Sequence, residues 1–427
     1  MSIVVLSLFV FLLIGMPIAA AFALAVFLNA DSVGVWLHAL SNIPFESVSR
    51  FALAAIPLFI LVGELMSQGG LAKSLTAGLD LIIGRLRAAF GYVMIGASAF
   101  MGAITGSSVA TVAAIGAVVG PEMKARGYPG GYVAALNAAA GLLGVLIPPS
   151  IPLILYGAAV GVSITQLFLA TLLPGLVMVC AFAMVHMMMS RRVLARGRER
   201  PPGSDGAAVE AGSRWQIARR SVPAVLLPVF VLGGIYGGFL TPTEAAAAAC
   251  LYAILVIALQ RRLGARGLVA SFYRAAIPSA AILIIIAMTG VLNRVLVLNQ
   301  VPQDLAAFIT GAISDPVLFL LAVNLLLFVV GMFMETNAAV LLMGPLLAPS
   351  AAAFGIDPVH FAIIVVTNIE IGLLTPPLAA NLYVAARTND VRLTEMLRYF
   401  LPFLGAAVGV LMLVTFVPEI ALWYRLF

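Results

Sequence analysis

The stretch GLLGVLIPPS, residues 141–150, interrupts an apolar segment with two consecutive prolines. Consecutive prolines remove two amide donors and disfavour the α conformation of the residue before them, so a helix has to unwind there. The second half of the chain carries a similar stretch, TNIEIGLLTPP, at residues 367–377. We therefore predict two broken helices, over 130–162 and 358–386, with free backbone carbonyls at each break.

The two stretches belong to an internal repeat, in which residues of the first half have counterparts a fixed number of positions later in the second half. We call this offset the repeat displacement; it relates Gly116 to Gly344, for example. This repeat displacement superposes glycine on glycine and proline on proline at Gly116/Gly344, Pro121/Pro349, Gly127/Gly355, Gly144/Gly372, Pro148/Pro376 and Pro149/Pro377. Matches between alanines often arise by chance in so apolar a chain, but six matches between Gly and Pro residues in one register do not. The sequence thus predicts two structurally related halves.

The composition is that of a membrane protein, since 63% of the 427 residues are hydrophobic and only 9% are charged. Several apolar runs exceed the ~20 residues that a helix needs to cross a bilayer. The net charge of +6 does not indicate nucleic-acid binding, because the basic residues cluster in short loops between apolar spans. The longest basic segment, residues 190–220, has eight Arg and three acidic residues.

These patterns predict an all-α polytopic fold with nine crossings. The predicted crossings are 3–29, 51–68, 130–162, 165–189, 221–239, 243–259, 277–298, 358–386 and 400–424. Residues 69–90 are amphipathic and are expected along the membrane interface. The predicted domains are a first repeat over 1–189, a cytoplasmic Arg-rich loop with a linking span over 190–239, and a second repeat over 240–427.

Two apolar regions, 91–123 and 317–348, are broken in the middle, at Gly106-Ser107-Ser108 and at Glu335-Thr336-Asn337. Basic residues flank both sides of the first region, whereas the second is flanked by Asp304, Asp315 and Asp357. Each arm of about 15 residues is short for a crossing at ~1.5 Å per residue. We therefore predict two re-entrant hairpins that enter from opposite sides, with their tips inside the protein.

Inverted repeats with paired, interrupted helices are typical of secondary transporters. The carbonyls and hydroxyls at the four breaks suit a hard cation such as sodium, and no other metal ion or cofactor is expected. The predicted sodium ligands are Gly106, Ser107, Ser108, Gly144, Ile147 and Pro148 in the first half, and Gly331, Thr336, Gly372 and Thr375 in the second. A single such break is also compatible with close helix packing or a simple kink.

Ionisable residues inside apolar spans are costly and therefore mark candidate functional sites. Arg294 is a candidate bidentate partner for a substrate carboxylate, and it is also placed to snorkel to the outer interface. Glu335 and Asn337, at the second tip, are candidate substrate ligands, although Glu335 is equally suited to cap a helix. Glu64, Glu244 and Glu370 are interpreted as structural partners of Arg or backbone groups.

The chain resembles the large membrane subunit of tripartite ATP-independent periplasmic (TRAP) transporters. The resemblance rests on GAITGSSVAT (102–111), GLLGVLIPPSIP (141–152), GGIYGGFLTPTEAAA (233–247) and HFAIIVVTNIEIGLLTPP (360–377). It implies an elevator mechanism, sodium coupling and uptake of carboxylates across the bacterial inner membrane. It also implies two partners, a small four-helix membrane subunit and a periplasmic substrate-binding protein.

Two positions depart from the pattern of that family, which often has Ser at Thr105 and Asp at Thr111. Thr111 is carried over as a substrate-binding candidate, but threonine lacks the carboxyl group with which the Asp of the family would contact the substrate. A stand-alone sodium–carboxylate symporter is the nearest alternative, and an ion channel or a membrane scaffold is a more distant one. The residues show no nucleophile–base pair that would favour an enzyme.

Overall fold

The computed structural model describes residues 2–30, 40–86, 88–194 and 214–425, and these residues form helices, turns and short loops. Arg87 and most of the predicted Arg-rich loop, residues 195–213, lie outside the described residues. Eight of the described helices are long and apolar enough to cross a membrane, or nine if one bent pair counts as a single span. The chain is an all-α polytopic membrane protein.

The main described helices of the first half are α1 (Ser2–Leu13), α2 (Ile18–Phe27), α3 (Ile43–Val48), α4 (Ala55–Gln68), α5 (Leu71–Ile83), α6 (Ala89–Thr105), α7 (Ser108–Ala125), α8 (Gly130–Gly141), α9 (Ile151–Val160) and α10 (Ile164–Leu194). Those of the second half are α11 (Arg214–Tyr236), α12 (Pro242–Leu259), α13 (Ala265–Leu298), α14 (Val301–Ala312), α15 (Pro316–Phe333), α16 (Thr336–Ala353), α17 (Pro358–Gly372), α18 (Ala380–Thr388), α19 (Leu393–Phe416) and α20 (Glu419–Leu422). A further helical turn, Leu143–Leu146, lies between α8 and the first break.

The repeat displacement also relates helix bounds. It moves α7 from 108–125 to 336–353, which are the bounds of α16, and it moves α6 to within one residue of α15. Gly127 and Gly355, which follow the second arms of the two hairpins, share the left-handed conformation, with φ of 89° and 70°. Glycine adopts this conformation at helix ends without the steric penalty of a side chain.

The predicted span 3–29 is wrong as a single helix. It consists of α1 and α2, which pack against each other and are separated by a turn at residues 14–17. Gly15 takes a left-handed φ of 78° in that turn, and Pro17 precedes the next helix.

Two other predicted spans have different bounds in the structure. The span predicted at 277–298 begins twelve residues earlier, at Ala265, and the helix of the span predicted at 400–424 ends at Phe416.

A scaffold forms around α4 and α13, which pack against each other. Repeat-related helices flank them, because α2 packs on α13 and α12 packs on α4. The hairpins and broken helices form a second body in which the halves interlock. In that body α7 packs on α18, and α9 packs on α16.

A polar tether holds each broken helix to the long helix that follows it. Tyr132 Oη lies 2.5 Å from Nδ1 of His186 in the first half, and Nε2 of His360 lies 2.8 Å from the Val414 carbonyl oxygen in the second. The repeat displacement takes Tyr132 to His360 and His186 to Val414. Both histidines are buried, so each tether satisfies a ring nitrogen that water does not reach.

Candidate functional site

A cavity of about 640 Å³ lies where the two hairpin tips face the scaffold. It brings together six of the predicted site residues, three from each tip: Gly106, Ser107, Ser108, Glu335, Thr336 and Asn337. The opposite wall comes from α4, α5 and α13. The two tips, which belong to different halves of the chain, therefore share one chamber.

The first tip is a tight turn between α6 and α7. Gly106 takes a left-handed φ of 62°, and the Ser107 hydroxyl accepts a hydrogen bond from the Ala110 amide at 3.4 Å as the cap of α7. The Gly106 carbonyl accepts a hydrogen bond from the amide of Ile151 at 3.1 Å. The tip is thus tied to the start of α9, directly after the first Pro-Pro break.

Glycine allows the first broken helix to approach that tip. A Cβ atom at Gly144 would lie 2.6 Å from the Ser107 carbonyl oxygen and 2.6 Å from the Thr111 hydroxyl. Ile147 and Pro148 follow three and four residues later and are buried. The residues predicted as the first sodium set are therefore close neighbours in space.

The second tip is built in a similar way, but with a carboxylate. Glu335 caps α16 by accepting a hydrogen bond from the Ala338 amide at 3.2 Å, and its other oxygen accepts one from Asn337 Nδ2 at 2.6 Å. The repeat displacement relates this cap to Ser107 and Ala110. The capping role predicted for Glu335 is confirmed, and its carboxylate nevertheless lines the cavity.

Gly331 and Gly372 bring the second tip against the second break. A Cβ atom at Gly372 would lie 2.7 Å from the Cα atom of Gly331. Thr375 follows, but its hydroxyl already donates a hydrogen bond to the Ile371 carbonyl at 3.3 Å. Pro376 and Pro377 are exposed, whereas Pro148 and Pro149 are buried. The second break is therefore more open than the first.

Thr111 does not reach the cavity. Its side chain is fully buried, and its hydroxyl lies 3.1 Å from that of Thr105. The two positions at which the sequence departs from the TRAP pattern thus contact each other inside the first hairpin. Thr111 supports the tip and is removed from the proposed substrate ligands.

Arg294 is also separate from the cavity. It lies on an exposed face near the end of α13 and does not line the chamber. Two other basic residues do line it, Lys73 on α5 and Arg274 near the start of α13. The Arg274 guanidinium lies 3.8 Å from the Glu64 carboxylate, an oxygen of which has no hydrogen-bond partner.

Arg274 is a site residue that the sequence analysis missed, because the span that contains it was predicted to begin too late. The predicted span 277–298 leaves Arg274 outside the apolar run, whereas the observed helix begins at Ala265. The structural roles predicted for Glu64 and Glu244 fit what is observed, since Glu64 pairs with Arg274 and Glu244 caps α12 together with Thr241. Glu370 differs, because it lines the cavity and forms none of the ion pairs among the described residues.

Comparison with known proteins is consistent with this architecture. The fold matches the crystal structure of the YdaH transporter of Alcanivorax borkumensis, with a TM-score of 0.66 at 15% sequence identity, over 97% of this chain and 98% of that one. The likeness establishes the fold alone.

Two relatives are similar in sequence. The isethionate TRAP transporter permease protein DctMQ of Oleidesulfovibrio alaskensis is 36% identical over 97% of this chain, which spans only 64% of that protein. The C4-dicarboxylate TRAP transporter large permease protein DctM of Pseudomonas aeruginosa is 36% identical over 88% of this chain and 87% of its own length.

The sequence model of one protein family matches residues 5–420 of the chain. That family is described as the DctM component of tripartite ATP-independent periplasmic transporters. Its members are permeases and not enzymes, and the match covers both hairpins, both breaks and the scaffold helices. The chain therefore belongs to the family of large permease components of TRAP transporters.

Proposed function

We propose that the chain carries small organic anions across the bacterial inner membrane together with sodium, after a periplasmic binding protein has delivered them. The observation that carries the proposal is the shared chamber, in which two oxygen-rich tips face Arg274 and Lys73. One wall thus offers ligands for a hard cation, and the other offers cationic groups for an anion.

The cationic wall accounts for the choice of substrate class. Arg presents a planar fork of donors that matches a carboxylate or a similar oxyanion. The two relatives named above are described as transporters of isethionate and of C4-dicarboxylates, which are small organic anions with different charged groups. We therefore extend the proposed substrate class from carboxylates to small organic oxyanions, with Arg274 replacing Arg294 as the anchor.

The tips offer chemistry that fits sodium. The Thr336 hydroxyl and the Asn337 side-chain oxygen are buried without a hydrogen-bond partner, although both residues line the cavity. Buried polar atoms are rarely left unpaired, so such oxygens suit a cation that accepts neutral ligands. We propose Gly106, Ser107, Ser108, Gly144, Ile147 and Pro148 as one sodium set, and Gly331, Thr336, Gly372 and Thr375 as a second.

An elevator motion is proposed for the body formed by the hairpins and broken helices. This body touches the scaffold where Gly63 of α4 faces Thr105, and a Cβ atom at Gly63 would lie 2.8 Å from Thr105 Cγ2. Because Gly63 has no side chain, nothing on the scaffold interlocks with the Thr105 methyl group at this point. The cavity extends to Gly70, whose carbonyl accepts a hydrogen bond from Arg262 at 2.9 Å. Arg262 belongs to a basic segment that we place in the cytoplasm, so the chamber is proposed to face inward.

Two protein partners are proposed, a small four-helix membrane subunit and a periplasmic binding protein. The test is uptake into proteoliposomes that contain the chain, the small subunit and loaded binding protein. We expect uptake to fall by about ten-fold when potassium replaces external sodium, a factor typical of thermodynamic coupling between two ligands. Equal uptake in sodium-free buffer would contradict coupling, and full uptake without the binding protein would favour a stand-alone symporter.

A further inference from the structure

Glu370 is a buried acid that the two sodium sets proposed above do not use. It lies near the end of α17, is 1% exposed, and lines the cavity between the tips. The equivalent position in the first half is Leu142, so the repeat does not require an acid there. A charged group at this depth therefore needs an explanation specific to the second half.

No basic side chain among the described residues pairs with this carboxylate. The ion pairs seen in the described ranges are Arg126–Glu122, Arg274–Glu64 and Arg425–Asp357. The Oε2 atom of Glu370 is buried and has no hydrogen-bond partner. The Arg274 guanidinium lines the same cavity but is associated with Glu64 instead.

The neighbours of Glu370 come from both hairpin tips. Ser108, Thr336 and Glu335 line the cavity together with Glu370, and the Ser108 and Thr336 side chains lie near its carboxyl group. Ser108 and Thr336 are 3% and 2% exposed, and the Thr336 hydroxyl has no hydrogen-bond partner. Two buried hydroxyls, one from each tip, thus lie near the buried carboxyl group of Glu370, and neither half alone supplies all three groups.

An ionised carboxylate out of water is costly unless a positive partner compensates it. A second acid close by increases that cost, because like charges repel more strongly at low dielectric constant. Hydroxyl and carboxylate oxygens at this point are ligands that suit a small hard cation.

We propose that Glu370, Ser108 and Thr336 form a further sodium site that bridges the two hairpin tips and shares its Ser108 and Thr336 ligands with the two sets above. The proposal rests on the sodium coupling proposed above and adds a charged ligand to it. Because Ser108 belongs to the first tip and Thr336 to the second, an ion held here joins the two halves of the mobile body. Sodium would then stabilise the arrangement in which both tips face the chamber.

The test is the melting temperature of the purified chain with its small subunit, titrated with sodium at constant ionic strength in choline chloride. Glu370→Gln keeps the size of the side chain and removes its charge. We expect this variant to need about ten-fold more sodium for half of the stabilisation, as loss of a charged ligand implies. In sodium-free buffer it should melt no lower than the wild type, since the uncompensated charge is gone.

Two further variants complete the experiment. Glu122→Gln removes an acid of the first hairpin that has an arginine partner at 3.2 Å and does not line the cavity, and it should keep the sodium response of the wild type. Thr336→Val should weaken the response in the same direction as Glu370→Gln. An unchanged sodium titration in Glu370→Gln would overturn the site while leaving sodium coupling intact. A wild type without a sodium-specific shift would overturn both.

Discussion

Replacing Arg274 with alanine is expected to lower uptake of the organic anion by about ten-fold or more, because the anion loses its charge-assisted hydrogen bonds to the guanidinium. Arg274 lines the chamber opposite the tips, and its guanidinium is held 3.8 Å from Glu64. An anion that enters the chamber competes with Glu64 for this guanidinium. Without it, a desolvated anion would face Glu64, Glu335 and Glu370.

The measurement is initial uptake of labelled substrate by proteoliposomes with saturating sodium and loaded binding protein. Arg274→Lys should restore only part of the activity, because an ammonium group cannot make two parallel hydrogen bonds to an oxyanion. Arg294→Ala is the matched control, since Arg294 belongs to the same helix and is also exposed, but does not line the cavity. Near-normal uptake by Arg274→Ala, or an equal loss in both alanine variants, would show that Arg274 is not the anchor.

Replacing Gly372 with alanine is expected to abolish uptake and to destabilise the second half of the body formed by the hairpins and broken helices. The added methyl group would lie 2.7 Å from Gly331 Cα and 2.7 Å from the Phe328 carbonyl oxygen. Both contacts are with backbone, so no flexible side chain can move aside, and the tip has to separate from the break. Overpacking of this kind costs about 1–3 kcal/mol or more.

The measurements for this variant are uptake and melting temperature in sodium. Gly405→Ala in α19 is the matched control, because an added Cβ there meets nothing within 4 Å. That change should be neutral or slightly stabilising, by up to about 1 kcal/mol, since alanine is the better helix former. A Gly372→Ala protein with normal uptake and melting temperature would mean that the contact between the second tip and its break is dispensable.

The broken helices and the hairpin tips were predictable because their causes are local. Consecutive prolines unwind a helix wherever they occur, and the observed helices do stop at residues 147–150 and 373–379. A capping side chain at Ser107 or Glu335 starts a helix through hydrogen bonds to amides three residues away. The same reasoning, applied to Gly15 and Pro17, would have divided the span predicted at 3–29, but mean hydropathy does not register such a turn.

Arm length was a poorer guide to the hairpins. Their arms were expected to have about 15 residues, but α6 has 17 and α7, α15 and α16 have 18 each. At ~1.5 Å per residue, an 18-residue helix approaches the thickness of the hydrocarbon core. The charge pattern at their ends, and not their length, is therefore what favours re-entrant hairpins.

The sequence by itself determined the class of protein, its internal repeat, the four breaks and the residues at both tips. Apolar composition determines partition into lipid, and proline and glycine act on the backbone locally, so both can be recognised without the tertiary structure. Only the tertiary structure decided which charged side chains meet the tips. Arg274 and Arg294 lie on the same long helix, yet only Arg274 lines the chamber. Glu370 is interpreted from the sequence as a structural acid, but in the structure it lines the cavity together with Ser108 and Thr336. In a membrane helix the faces toward lipid and toward protein are both apolar, so hydropathy does not distinguish them, and packing between distant segments selects the residues that line the site.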